Sequence, residues 1–561
     1  MPGKRGEVVA SGRPRRKVKD GFQTFAVAWA SSASSSVGAA AKRRRGPILA
    51  LSAFAAVLAL GGTAFAVQRW LDTTNQDAAS SIPADMDFYI GIDAVRLLAE
   101  DTTEVFDTLA RVFDDTGGSD DYLTELDRSL LEETGFDFTN DIRPWVGRTA
   151  AVGFNIPGFT ADTVYAAELT PEAIFAVESR DDAAAAAFLD KLSQALSEDG
   201  LTMTETVLDG VSVFEGSDVA FAIDDSVVLI GTPSLLRQAL ALDPAESLSA
   251  SAEFSALTGE LPQDRFLTGY VQPGAFDSLS TGLTGSAVNP AGGVLGMAFS
   301  AGVRPEGLAF EYVARLDAQG TALAQEMLAG CQQFFDALPA GTVAFAQFGS
   351  VASYWKQLGQ SIEGLGMDLE SQIESFNAEI GLDIVNDVIN RLDQPSGIAM
   401  YRSTVGGLAV GTGYPVGLLA AFGTSTPELL TGPLDTLAAY AEASGSAVRR
   451  SGSLYVFGDG PDDFAAAGVV GSWLAIGTDA GELETFGTGQ GDFAADPTYT
   501  EARQLIASET VSFYANVGGI MAMFDLPADQ SASWAPIKAV IGGGSINGDL
   551  QRVTAAILVD H

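Results

Sequence analysis

An uncharged run of 21 residues, Pro47–Val67, is the strongest constraint on how this chain is arranged. As a helix it spans about 31 Å at ~1.5 Å per residue, which matches the hydrocarbon thickness of a bilayer. Four basic residues, Lys42–Arg45, come directly before it. Because basic flanks stay on the cytoplasmic side, the pattern predicts a transmembrane helix with the N-terminus inside and residues 68–561 exported. A signal peptide cleaved after Ala66 is the alternative, since residues 64–66 form a small-x-small motif.

The charge of the chain changes sign at this segment. Residues 1–69 hold 12 Lys and Arg against two acids, whereas the rest holds 70 acids against 19 bases. A surface this acidic repels nucleic acid and anionic lipid headgroups, so nucleic acid is not an expected partner. The acidity suits solubility in a saline habitat or, as the alternative, calcium binding. The apolar content of the chain is 47%, which excludes a disordered acidic tail.

Cysteine and histidine are almost absent, which narrows the chemistry. Cys331 is the one cysteine, so no intramolecular disulfide forms, and the one histidine is His561. A Ser-His-Asp or Cys-His nucleophile would lack its base, and a zinc site would lack its imidazoles. We therefore expect no cofactor and favour a non-enzymatic protein.

From residue 82 onward, short strands alternate with amphipathic helices, and the pattern then repeats. GFDFTNDI at 135–142 matches GLDIVNDV at 381–388, and SVVLIGT at 226–232 matches SWLAIGT at 472–478, both at an offset of 246 residues. IPADMDFYIGID at 82–93 also matches LPAGTVAFAQFG. Matches in the same order predict an internal duplication. The expected fold class is α+β, with two homologous domains of mixed, mainly antiparallel sheet and packed helices.

The uncharged run and the internal repeat divide the chain into six predicted segments. They are a disordered basic cytoplasmic tail (1–46), the transmembrane helix (47–67), a tether (68–81), repeat domain 1 (82–317), a linking helix (318–337) and repeat domain 2 (338–561). Each repeat domain has the size of a single folding unit. The pattern leaves open whether the two sheets are separate or fused.

The repeated GFDFTND and GLDIVND motifs supply the candidate site residues. Gly135 and Gly381 fit the position that closes a preceding helix, and the Asp two residues later fits an N-cap of the next turn. The functional alternative is an oxygen-rich cation site, with calcium as the expected ion, although the spacing differs from that of an EF-hand loop. The candidate metal ligands are Asp137, Asn140, Asp141, Asp383, Asn386 and Asp387.

Two motifs resemble those of a known family. The segment from Pro83 to Asp93, which follows a basic lead and a membrane helix, and the segment from Gly135 to Gly147 are similar to an uncharacterised bacterial family filed as domain of unknown function 3352. The resemblance covers about residues 80–561. It implies a protein anchored in the bacterial cytoplasmic membrane, with an extracytoplasmic domain and no established activity or catalytic residues. The second copy departs from the pattern, with residues 389–392 in place of Arg143-Pro144-Trp145-Val146.

The leading functional hypothesis is a binding or scaffolding module held at the outer face of the membrane through residues 47–67. An envelope protein or an apolar ligand is the expected partner. One alternative is a hydrolase that uses carboxylates or a divalent cation, and another is a carrier of an apolar ligand.

Overall fold

The computed structural model describes most of the chain after residue 77. The described residues are 78–97, 131, 135–155, 172–198, 200–275, 293–304, 306–328, 331–356, 369–403, 415–458, 465–489, 491–506, 510–524 and 534–560. The predicted tail, the predicted transmembrane helix and most of the predicted tether lie outside them. Within the described ranges, no helix has both the length and the apolar character needed to span a bilayer.

In the part of the chain that the structure describes, twenty strands form one antiparallel sheet. Alternating apolar residues and Gly or Asp turns divide the chain into these strands, as the pattern predicts. The first ten are β1 (Phe88–Asp93), β2 (Val146–Asn155), β3 (Glu172–Ser179), β4 (Thr204–Leu208), β5 (Val211–Glu215), β6 (Ala220–Asp224), β7 (Val227–Gly231), β8 (Arg265–Val271), β9 (Val294–Arg304) and β10 (Gly307–Leu316). The second ten are β11 (Thr342–Ser350), β12 (Pro395–Arg402), β13 (Val416–Gly423), β14 (Val448–Ser451), β15 (Leu454–Phe457), β16 (Ala465–Val470), β17 (Trp473–Gly477), β18 (Thr510–Asn516), β19 (Ile537–Asn547) and β20 (Leu550–Val559).

Helices connect the strands and pack on both faces of the sheet. They are α1 (Ala94–Leu97), α2 (Asp182–Glu198), α3 (Pro233–Leu240), α4 (Ala252–Gly259), α5 (Ala318–Leu328), α6 (Cys331–Asp336), α7 (Leu369–Ile380), α8 (Thr431–Ala443), α9 (Ala480–Phe486), α10 (Pro497–Arg503) and α11 (Val517–Met523). The predicted linking segment thus contains α5 and α6. Residues 78–81, at the end of the predicted tether, form a 3-10 helix whose Ala78 and Ala79 are buried.

The strand order is the same when read inward from either end of the sheet. One half runs β4-β5-β6-β7-β3-β2-β1-β8-β9-β10. The other runs β14-β15-β16-β17-β13-β12-β11-β18-β19-β20. Each strand of the first half therefore occupies the place of the strand numbered ten higher. The α+β class with a mainly antiparallel sheet is confirmed.

Strands β10 and β20 pair with each other and join the two halves into one sheet. Their register runs from Gly307 opposite Leu558 to Arg315 opposite Leu550, with Glu311 opposite Thr554 at the centre. The Glu311 carboxylate is buried and forms an ion pair with Arg304. Burial raises the pKa of Glu311, and the positive charge of Arg304 opposes that rise. The question left open by the sequence is answered, because a single sheet runs through both halves.

Alternation along β10 defines two faces of the sheet. Ala309 and Val313 lie on the face that we call inner, where two large clusters pack. The inner cluster of the first half lies under α3 and α4, and that of the second half lies under α6, α9 and α10. We call the opposite face, which carries Phe310, the outer face. The outer face differs between the two halves.

Candidate functional site

The first set of predicted site residues surrounds a π-helical turn, Phe138–Ile142, directly before β2. The Asp137 carboxylate accepts a hydrogen bond from the Asn140 backbone N–H at 2.8 Å and caps the turn. In return, the Asp137 N–H donates to Asp141 Oδ2 at 2.9 Å. Lys191 of α2 forms an ion pair with the same oxygen at 2.6 Å. These contacts confirm the capping role predicted for Asp137.

The second set repeats this geometry at Ile384–Val388, before β12. The Asp383 carboxylate accepts from the Asn386 backbone N–H at 3.2 Å and from Asn386 Nδ2 at 2.7 Å, and these bonds lower the pKa of Asp383. The Asp383 N–H donates to Asp387 Oδ2 at 3.3 Å. Gly381 has a φ of +72° and closes α7, a conformation that a residue with a Cβ rarely adopts. The capping interpretation holds here as well.

The two sets are not brought together into one site. They precede β2 and β12, and eight strands lie between β2 and β12 in the sheet. The part of the chain that the structure describes holds no group of three or more His, Cys, Asp or Glu side chains arranged for a metal ion. Cation binding by these six residues stays a prediction.

A row of apolar side chains on the outer face of the second half was not predicted. Ile476, Ala420, Ile398, Ala346 and Phe513 are paired in register across β17, β13, β12, β11 and β18. Ile398 is 50% exposed, Ile476 43% and Phe513 36%. We call this row, with its apolar neighbours on the same face, the apolar strip. It comprises Ala344, Ala346, Ile398, Met400, Leu418, Ala420, Ala467, Ile476 and Phe513.

The corresponding row of the first half is covered. Ile230, Phe175, Val152, Ile90 and Gly269 have the same register in β7, β3, β2, β1 and β8. The first three are buried in a cluster with five side chains of α2. Those five are Ala185, Phe188, Leu189, Leu192 and Leu196.

Two local differences leave the strip open. Helix α2 begins three residues after β3, whereas α8 begins eight residues after β13, behind a 3-10 turn at Pro427–Leu430. Helix α8 packs mainly near one end of the outer face, with Leu430, Leu434 and Leu437 in a cluster around Leu474.

The second difference lies at position 391. In the first half the Trp145 indole packs on Phe188 at 5.3 Å between ring centres, and its Nε1 donates to the Asp141 carbonyl at 3.0 Å. In the second half Arg391 Nε donates to the corresponding carbonyl, that of Asp387, at 3.1 Å. The hydrogen bond is kept, but the large apolar ring that helps to cover the outer face is lost.

The apolar strip can bind apolar matter but has no group for catalysis. Its side chains carry no polar atom apart from the Met400 sulfur, and neighbouring apolar clusters flank it at α7 and α8 on one side and at α11 on another. From Ile476 to Phe513 it crosses four strand spacings, about 19 Å. The sequence does contain one signal for the strip. Strands β12 and β13 carry apolar residues on both faces, and this pattern predicts strands whose two faces are both covered.

Comparisons with known proteins give a family and no activity. The family described as "Protein of unknown function (DUF3352)" matches residues 50–449. Two solved structures, crystal forms I and III of TP0453, are 12% identical to this chain. They cover 44% and 45% of it, with 81% and 87% of their own length and TM-scores of 0.23 and 0.22. No curated protein matches. Since the family model spans well over half of the sequence, this chain belongs to the DUF3352 family of proteins of unknown function.

Proposed function

We propose that this chain is a membrane-anchored extracytoplasmic binding protein of duplicated architecture, whose second half holds apolar ligands on the apolar strip. The anchor is Pro47–Val67, and the support for it is the uncharged run with its basic flank. On this proposal the predicted segment boundaries stand as given, with α5 and α6 in the linking segment, and residues 68–561 face away from the cytoplasm. The strip carries the binding part of the proposal.

The duplication is supported by strand order and by side chains that change together. In the first half, the Phe299 ring lies over Gly269 on the neighbouring strand. In the second half, the Phe513 ring lies over Gly542 in the same two strands of the repeat. The Phe and the Gly have exchanged strands, so the same volume is filled from the opposite side. Such an exchange is expected of two copies that diverged while keeping one packing arrangement.

The strip favours one class of occupant, the acyl chain of an uncharged or zwitterionic lipid. A hydrocarbon chain needs no hydrogen-bond partner, and the strip offers none. A length of about 19 Å suits an extended chain. The acidic surface, with 70 acids against 19 bases beyond residue 69, disfavours an anionic headgroup. The anchor holds the domain near a source of such lipids.

The experiment is site-specific photo-crosslinking of the full chain in bacterial membranes. A photoreactive amino acid replaces Ile398 in the strip or, as a matched control, Val207 on edge strand β4. Val207 is 73% exposed, so it is at least as accessible as Ile398. Intact-mass measurement then identifies the adducts.

Lipid adducts at Ile398 well above the level at Val207 would support the proposal. Equal lipid labelling at both positions would show that the strip has no preference for lipid and would overturn it. A protein adduct at Ile398 would also overturn it and would favour the scaffolding interpretation.

A further inference from the structure

The row of the apolar strip continues beyond Ile476 to β14, at the edge of the described sheet. The pairs in register are Ile476–Ala467, Ala467–Tyr455 and Tyr455–Arg450, on β17, β16, β15 and β14. Side chains that are paired across neighbouring antiparallel strands project from the same face. The row therefore stays on the outer face, and three strand spacings, about 14 Å, separate Arg450 from Ile476.

A compact group of three polar side chains stands at this end of the row. The Arg450 guanidinium lies over the Tyr455 ring, 5.4 Å from its centre. The Tyr455 hydroxyl donates to Asp435 Oδ1 on α8, and Arg450 Nη1 lies 3.7 Å from the same oxygen. The Arg450 and Asp435 side chains are 57% and 55% exposed. One positive and one negative charge thus lie side by side, open to solvent, where the apolar row ends.

These two charges suit a ligand that carries both signs. An exposed ion pair contributes little to stability, because water already solvates both partners. A ligand with two opposite charges can therefore bind each partner with little loss. A guanidinium binds phosphate oxygens through charge-assisted hydrogen bonds, and a carboxylate accepts from an ammonium group. Beyond residue 69 the chain has 19 bases against 70 acids, so a basic group is not a general property of this surface.

The corresponding row of the first half has neither feature. Phe221, Phe214 and Glu205 hold the same positions on β6, β5 and β4. The two rings stack with their centres 5.3 Å apart, and Phe221 is fully buried. In the second half Ala467 stands in the place of Phe221 and leaves the row partly exposed, while Arg450 in the place of Glu205 reverses the charge. The open row and the charge pair thus occur together, in the half that carries the strip.

We propose that this group binds the headgroup of a zwitterionic phospholipid, with the phosphate on Arg450 and the ammonium group on Asp435. The headgroup site rests on the proposed function, because the acyl chain of the same lipid lies along the strip. The glycerol part then lies over Ala467, between the charge pair and Ile476. Phosphatidylethanolamine is the appropriate probe, since its primary ammonium group can donate to a carboxylate.

The test uses the full chain with a photoreactive amino acid at Ile398, in lipid nanodiscs of defined composition. One set of discs holds equal amounts of phosphatidylethanolamine and anionic phosphatidylglycerol. A second set holds phosphatidylethanolamine and an uncharged glucosyl diacylglycerol, and all lipids have identical acyl chains. Intact-mass measurement counts the adducts of each lipid, and labelling at Val207 gives the background. Labelling at Ile398 reports the lipid on the strip and not the lipid around the anchor.

Three variants separate the roles of the charges. Arg450→Met removes the positive charge and Asp435→Asn removes the negative one. Both side chains are more than half exposed, so both variants should fold. Arg449→Met is the matched control, since Arg449 is also exposed on β14 but pairs with Val456, whose side chain lies in the inner cluster.

In the parent chain we expect phosphatidylethanolamine adducts at Ile398 to exceed those of either competitor at least fivefold. Arg450→Met should lower the ratio to the uncharged lipid below two, because the phosphate loses its partner. Asp435→Asn should lower the ratio to phosphatidylglycerol below two, because a guanidinium without its carboxylate no longer selects against an anionic headgroup. Arg449→Met should match the parent in both sets.

Equal labelling of Ile398 by all three lipids, above the level at Val207, would overturn the headgroup site and leave the proposed function intact. Ratios that stay at the parent value in Arg450→Met and Asp435→Asn would do the same. An equal fall in Arg449→Met and Arg450→Met would overturn the headgroup site too, since it would reduce the preference to the net charge of the chain. Lipid labelling at Ile398 no higher than at Val207 would overturn both proposals.

Discussion

Glu178 on β3 is a buried carboxylate with a structural role. Its Oε2 accepts hydrogen bonds from the backbone N–H groups of Arg148 and Thr149 at 3.0 and 3.1 Å. These donors become available because the register of β2 and β3 shifts between Val146 and Ala150. Gly147 sits within this bulge, where an added Cβ would lie 2.7 Å from the Glu178 carbonyl oxygen. The side chain therefore satisfies backbone groups that the irregular ladder leaves free.

This environment predicts a pH-dependent stability. Burial raises the pKa of Glu178 above its ordinary value, while Arg148 and the two backbone bonds oppose the rise. A raised carboxyl pKa means that the folded state binds the proton more tightly than the unfolded state does. The protonated carboxyl group therefore stabilises the fold at low pH, and this stabilisation is lost as pH rises through the pKa of the folded state. Glu178→Gln keeps the acceptor without the charge. We expect its unfolding midpoint in calorimetry to lie a few degrees above the parent at pH 8 and to converge with it near pH 4.

The control is Glu215→Gln on β5, a partly exposed ion-pair carboxylate for which a small effect is expected. A Glu178→Gln midpoint that shifts equally at both pH values would contradict the assignment of the effect to ionisation.

Among the elements, α2 decides whether the outer face of a half is open. Phe188 projects from α2 onto Trp145 and Phe136, with ring centres 5.3 Å apart in both pairs. Phe188→Ala should lower the free energy of unfolding by about 3–5 kcal/mol, as large-to-small changes of buried aromatic residues do. It should also raise the binding of an apolar dye, since it uncovers the first-half row. Calorimetry and dye fluorescence of the full chain measure the two effects.

Leu437→Ala in α8 is the matched change in the second half. Leu437 is only partly buried, so Leu437→Ala should lower the free energy of unfolding clearly less than Phe188→Ala does. It should also change dye binding little. Equal losses of stability in the two variants would show that α2 has no special role in covering its face of the sheet.

Element positions were largely predictable from the sequence, whereas the coverage of the faces was not. The alternation of short strands and amphipathic helices that the sequence predicts from residue 82 onward is found in the structure, for example in β2, β3 and α2. Alternation and caps are local signals, so they are visible in a single chain. The apolar strip depends on where α8 packs and on Arg391 standing in the place of Trp145. The sequence shows that Trp145 is replaced, but only the packed structure shows which surface this leaves uncovered.

The burial of Gln347 was invisible to sequence reasoning for a related reason. A glutamine in an apolar strand pattern carries no sign of whether its amide is satisfied. Its Nε2 donates to the carbonyl of Val511, a residue 164 positions away on β18. The candidate residues chosen from the repeats, in contrast, were those that recur in both halves. Recurrence selects residues that both halves need for folding, and both Asp caps are of that kind.

At the scale of the whole molecule, the joint between β10 and β20 makes one sheet from two equivalent halves. Glu311 pairs with Thr554 at the centre of this ladder, and each residue lies 243 positions from the other. The pairing thus has the self-complementary form of a two-fold contact between like subunits, here within one chain. Glu311 is buried at this point and forms an ion pair with Arg304, so loss of the arginine would leave an unpaired buried charge.

This arrangement predicts that the two halves open together rather than at the joint. The ladder runs over nine residue pairs and continues into β9 and β19, so its backbone amides lie in the interior of the sheet. Hydrogen exchange of the full chain, read by mass spectrometry, should show β10 and β20 exchanging as slowly as β9 and β19. The edge strands β4 and β14 serve as internal references and should exchange much faster. Fast exchange confined to β10 and β20 would mean that the halves separate in solution, and the strip would then belong to a domain that moves independently.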